Sequence, residues 1–218
     1  KQIKDGVVIG GKWVVGVIQG EFNDKATIGQ IFVDAAISMF PIAGEVTAAR
    51  DLVAILLRMA DDKKQASDVI NWIKIILCLL PIIPIFGGIL KGIGRLLITV
   101  IKDATKAAEV AAAILAFLRK MGYGNSVAFI QKLNFAQYQG KILAELKNGI
   151  SRMKEGFAFI NQKMGNALPE SISTYVNSMG PKLDELGRLA DKMIPAAIKE
   201  LDQALNKVSL GTLKIRKL

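Results

Sequence analysis

Histidine is absent from the 218-residue chain, and cysteine occurs once, as Cys78. Those two scarcities exclude an internal disulfide, a zinc site of His and Cys, a Ser-His-Asp triad and a Cys-His pair. Most hydrolase chemistry is thereby set aside before any motif is read. Alternating apolar and polar residues are rare, and strand-length runs bounded by hairpin dipeptides are missing, which argues against a β-rich fold. A cleavable signal is lacking too. Lys1–Gly20 holds basic residues and an apolar run, but Lys12 interrupts it and no small-x-small site follows. The chain does not begin with Met, so an excised fragment or processed chain is expected.

Apolar residues make up 51 % of the chain, with a mean hydropathy of +0.36. The 29 basic and 19 acidic residues leave a net charge of +10. Residues 1–68 carry 8 basic and 9 acidic groups, residues 69–122 carry 7 and 2, and residues 123–218 carry 14 and 8. The positive excess thus begins where the most apolar stretch begins. Nucleic-acid binders set Lys and Arg beside exposed aromatics or on a polar helix face. Here cations border greasy sequence, which points to an anionic lipid membrane and away from nucleic acid.

Almost everything reads as helix, and the expected fold is all-α. It is a multi-helix bundle with a central hydrophobic helical hairpin and long C-terminal amphipathic helices. Residues 1–122 read as a hydrophobic, hairpin-containing domain and residues 123–218 as an amphipathic bundle or coiled coil. Gly6–Gly20 reads as a helix with a small-xxx-small pair at Gly16 and Gly20, though its β-branched run also suits a strand. Helices follow over Thr27–Phe40 and Glu45–Ala60, with a solvated turn at Asp61-Asp62-Lys63-Lys64. Asp103–Met121 is an Ala-rich helix stopped at Gly122. Tyr123–Asn134 is a short element, and Ala136–Lys163 a long helix broken at Leu168-Pro169. Ser171–Met179 is a short helix, and Pro181–Val208 a last one kinked at Pro195.

Val69–Ile101 is the centre of the reading. Only Lys74, Lys91 and Arg95 are charged among its 33 residues. Pro81 and Pro84 divide it into arms of 12 or 13 and about 16 residues. At about 1.5 Å per residue neither arm reaches the roughly 30 Å of a hydrocarbon core. A kinked single crossing, a hairpin inserted part-way and a buried hairpin in a water-soluble bundle all stay open. The expected membrane-inserting side chains are Trp72, Ile75, Ile76, Leu77, Leu79, Leu80, Ile82, Ile83, Ile85, Phe86, Ile89, Leu90, Leu96 and Leu97. Pro81, Pro84, Gly87 and Gly88 form the expected hinge, and Gly88–Gly92 has GxxxG spacing. Lys74, Lys91, Arg95 and Lys102 are expected to contact lipid phosphates, the last three as one strip. Taken alone, the strip reads more readily as a solvated helix face.

No constellation carries catalysis. Asp34, Glu45 and Asp51 with Arg50 read as surface charge pairs, and Asp61-Asp62 lacks the further ligands of a calcium loop. The glycines of Ile9–Trp13 lack a phosphate-loop pattern. Cys78 reads as a small packed hydrophobe, and Trp13 and Trp72 as interfacial anchors or core residues. No cofactor, metal or enzymatic activity is expected.

The stretch Glu21–Asp62, followed by PIIPIFGGILKGIGRLL and later by LDQALN at Leu201–Asn206, resembles a helical region of bacterial polymorphic toxins. The relatives in view are large type VI secretion effectors with PAAR or Rhs-like parts. The resemblance implies a secreted antibacterial effector region, soluble before delivery, that meets the target membrane to form a pore or help a passenger cross. A covalent toxin module downstream and a chaperone or immunity protein are the further partners it implies. On this reading a charge placed at Ile83 or Leu90 abolishes membrane activity. The alternative is a non-catalytic module that links the delivery part to a downstream toxin.

Overall fold

In helix α1 (Val46–Asp61) the buried Ala48, Ala49, Leu52, Val53, Leu56 and Met59 recur at helical steps, with Arg50, Asp51 and Arg58 exposed opposite them. The computed structural model describes residues 46–164 and 170–215, those at 46, 47, 163, 164, 171, 172 and 211–215 by backbone alone. The helices expected over Gly6–Gly20 and Thr27–Phe40, Trp13, Asp34, Glu45 and the break at Leu168-Pro169 lie outside the described residues.

Asp62 caps the short α2 (Lys63–Ser67), its carboxylate accepting the Lys64 N–H at 2.8 Å. Asp68 does the same for α3 (Val69–Leu79), accepting the Ile70 N–H at 2.9 Å. From Asn71 to Leu80 only Lys74 is exposed, so α3 is apolar nearly all round because it is buried nearly all round. Pro81 then sits in a 3₁₀ turn, Leu80–Ile82, and the chain re-enters helix as α4 (Gly87–Lys102). Asp103 caps a further 3₁₀ turn at Ala104–Lys106 and leads into α5 (Ala107–Lys120). The Tyr123 and Gly122 N–H groups donate back to the Leu118 and Arg119 carbonyls at 3.0 Å, and Gly122 takes a φ of +86°. This is a Schellman stop that a glycine makes without strain. The short α6 (Ser126–Lys132) begins on Asn125, and a 3₁₀ turn at Ala136–Tyr138 precedes α7 (Gln139–Met164).

The short helix expected over Ser171–Met179 and the last helix expected from Pro181 are instead one element, α8 (Glu170–Ile215), 46 residues with Pro181 and Pro195 inside it. A proline within a helix costs about 3 kcal/mol. Buried Met179 and Leu183 flank Pro181, and Ile194, Ala197 and Ile198 flank Pro195. Packing on both sides of each proline outweighs the missing hydrogen bond. α7 and α8 run antiparallel, with Lys147 bound to Asp191 and Lys154 to Asp184, seven residues apart on each helix. Ile142, Leu146, Ile150, Met153, Phe157 and Ile160 form the buried face of α7, as the periodicity predicts.

No strand occurs among the described residues, and the fold is an all-α bundle. One hydrophobic cluster runs from Ala49 to Val208, and α8 packs on α1, α3, α4, α5, α6 and α7. The Asp202 carboxylate on α8 accepts the N–H groups of Phe135 (2.7 Å) and Ala136 (3.1 Å), fixing the entry to α7. Asp61, expected in a solvated turn, ties α1 to α8 by accepting from Lys182 Nζ at 2.7 Å and the Tyr175 hydroxyl at 3.3 Å. Burial, helped by the negative charge of Asp61, pushes the Tyr175 phenol up to about 12. The neutral phenol is the favoured form, so its contribution is complete below pH about 10 and is lost as pH rises to about 12. Phenolate absorbance in an alkaline titration should show one component near 12 that Tyr175→Phe removes.

The glycines of α4 have unequal roles. A Cβ on Gly87 would lie 2.3 Å from the Leu80 carbonyl oxygen and 2.8 Å from Pro81 Cα, both backbone, whereas one on Gly88 would meet nothing within 4 Å. The expected Gly88–Gly92 pair is therefore no packing motif: Gly92 faces the Phe117 ring and Gly88 faces open space. Gly87→Ala should destabilise by about 1–3 kcal/mol and Gly88→Ala should stabilise by about 0.5–1 kcal/mol, read from urea midpoints.

Candidate membrane-contact tip and basic groove

The side chains expected to enter a bilayer divide by burial. Trp72, Ile75, Ile76, Leu77, Leu79, Leu80, Ile83, Ile89, Leu90 and Leu97 lie in the core, and Ile82 and Leu96 are partly covered. Trp72 is 0 % exposed and its indole N–H donates to the Ala66 carbonyl at 2.7 Å, which makes it a core residue and no interfacial anchor. Cys78 is buried as well. No helix among the described residues is long and apolar enough to cross a membrane.

Ile85 and Phe86 are the exception. Ile85 is 86 % exposed and Phe86 37 %, and Pro84 and Gly88 beside them are exposed too. The Phe86 N–H donates to the Pro84 carbonyl at 2.8 Å around Ile85, whose φ is +70°. This is a γ-turn centred on a β-branched residue in the left-handed region, a conformation costing on the order of 1–3 kcal/mol. Of the expected hinge residues, Pro81 shapes the 3₁₀ turn, Pro84 opens the γ-turn and Gly87 fits under the Leu80 carbonyl; Gly88 has no packing role. Lys141 Nζ donates to the Ile82 carbonyl at 3.2 Å, holding a cation beside the tip. Phe86 stacks at 6.4 Å on Phe129, itself 4.8 Å from Tyr123, over a groove of about 420 Å³ that Lys132 and Tyr138 also line.

The expected phosphate contacts also separate. Lys74, Lys91 and Arg95 line one groove of about 350 Å³, with Arg58 and Asp51 from α1 and a floor of Ala54, Ile55, Leu77, Cys78 and Ile98. Lys102 is exposed at the end of α4 and does not line it. The seven-residue step from Asp51 to Arg58 places both on one face of α1, and Lys91 and Arg95 share a face of α4. Gly94 brings the two apolar helices together at this floor, since a Cβ there would lie 2.3 Å from Leu77 Cδ2. Arg58 is the groove cation that the sequence does not group with the others. No local spacing relates α1 to α4, so only the packing of both on α3 reveals it. Among the described residues no group of three or more His, Cys, Asp and Glu side chains could hold a metal ion.

Compared with protein-family models, curated proteins and solved structures, the chain finds no significant match.

Proposed function

We infer that this chain is the membrane-active helical domain of a secreted antibacterial toxin, delivered to a target bacterium and meeting its membrane tip first. The observation that carries the reading is the strained, exposed Ile85–Phe86 turn at the point where two apolar helices join. Seating Ile85 in lipid gains roughly 1.5–3 kcal/mol, the partly covered Phe86 gains about a third of that, and each nearby cation adds about 1 kcal/mol on an anionic surface. Surface contact is therefore favourable with the bundle closed. Entry of α3 and α4, which permeabilises the membrane or carries a passenger across, follows only if their burial in lipid exceeds the stability of the closed bundle, on the order of 5–15 kcal/mol. The resemblance of the Glu21–Asp62 and PIIPIFGGILKGIGRLL stretches supports the toxin assignment.

Dye-filled phosphatidylglycerol vesicles test this. Micromolar protein should release dye, zwitterionic vesicles should release less, and Ile85→Asn should cut release about tenfold while keeping the fold, since Asn accepts a positive φ. Vesicles left intact would overturn the reading.

The burial of the other apolar side chains favours a second reading, a non-catalytic module that links a delivery part to a downstream toxin and binds a chaperone or immunity protein. It calls for intact vesicles and a stable monomer or heterocomplex without detergent.

A further inference from the structure

We propose that the groove between α1, α3 and α4 is a discrete binding site for a phosphate group borne on a short apolar chain. This goes beyond the membrane reading and does not depend on the Ile85 tip entering a bilayer. Three helices deliver Arg58, Lys74, Lys91 and Arg95 to one concavity, where Asp51 is the one carboxylate among the described lining residues. Four ion pairs elsewhere each join two helices, Lys63 to Glu185, Lys147 to Asp191, Lys154 to Asp184 and Lys182 to Asp61, whereas the groove gathers four cations around one carboxylate. In the groove, Lys74 and Arg95 have neither an ion pair nor a hydrogen bond among the described residues. Arg58 spends only its Nε–H, on the Ala54 carbonyl of its own helix at 3.2 Å, which leaves the terminal nitrogens of its fork.

Like charges gathered this way repel one another unless an anion joins them, and a guanidinium fork with ammonium groups suits the oxygens of a phosphate. The floor is apolar, with Leu77 and Ile98 beneath the charges, so the site pairs a cationic rim with a greasy base. Its volume of about 350 Å³ falls at the small end of ligand pockets, enough for a headgroup and the first carbons of a chain. Asp51 at the rim disfavours a second negative charge on its side and would orient the ligand.

Two sources present this chemistry, a membrane phospholipid and a soluble phosphorylated metabolite. The test titrates the full chain by calorimetry with inorganic phosphate, with dihexanoyl phosphatidylglycerol below its micelle concentration, and with dihexanoyl phosphatidylcholine. Saturable one-to-one binding of the anionic lipid is expected, weakened about tenfold by Arg95→Ala or Lys74→Ala and strengthened by Asp51→Asn. Both lost cations are exposed, so thermal melts should show these variants folded. Lipid binding tighter than phosphate assigns the site to phospholipid; equal binding assigns it to a soluble phosphate. Lys102→Ala, on the same helix outside the groove, should bind as the parent does. No saturable binding, or an equal loss in Lys102→Ala and Arg95→Ala, would overturn the site in favour of diffuse surface charge.

Discussion

Trp72→Ala should lower stability by about 3–5 kcal/mol, the range found when a large buried aromatic is truncated. The indole is wholly enclosed and its N–H is spent on the Ala66 carbonyl, so the variant loses packing and also orphans a buried acceptor. Against a total of about 5–15 kcal/mol this is a third or more of what holds the domain folded. For a chain of this size the melting temperature should fall by roughly 10 °C. Trp72→Phe, which keeps the ring and loses only the hydrogen bond, should show a smaller drop. A loss under about 1 kcal/mol for the alanine variant would return Trp72 to the role of an interfacial anchor.

Leu90→Lys should unfold the domain at neutral pH. Leu90 is fully buried on α4, and the groove it borders is lined by Lys132 and, among the described residues, no carboxylate, so an ammonium there finds no partner. An unpaired buried charge costs several kcal/mol beyond the lost packing of the leucine, itself about 2–5 kcal/mol. Circular dichroism at neutral pH should show loss of helix; a native spectrum would mean that α4 sits loosely in the bundle. This revises what a charge at Leu90, or at the buried Ile83, can report. Loss of vesicle release in either variant follows from unfolding alone. The tip substitution Ile85→Asn separates the two effects, because it relieves strain while removing the apolar contact.

Much of the helical layout was legible from residues. The amphipathic face of α7, the stop at Gly122 and the interruption at Pro81 are local signals, and each sits where its local chemistry dictates. Pro181 of α8 misleads for the opposite reason. It is a local breaker, and what overrides it is burial against helices distant in sequence. The site was legible only in its parts. Lys74, Lys91 and Arg95 could be named from spacing, but their meeting with Arg58 depends on how α1 lies against α3. The tip was named as one stretch with its neighbours; that Ile85 is exposed while Ile83 and Leu90 are covered depends on the γ-turn, and its positive φ contradicts the preference of a β-branched residue.

The 46-residue helix α8, neighbour to six other helices, has a consequence for the opened form that the membrane reading proposes. Were α3 and α4 to leave, they would strip cover from α8 along part of its length. The opened molecule would then bare two greasy surfaces. The rest of α8 is too rich in Lys, Asp and Glu for the helix to dissolve in hydrocarbon. It would have to lie flat along the lipid headgroups or seek a twin, so opening and self-association should go together.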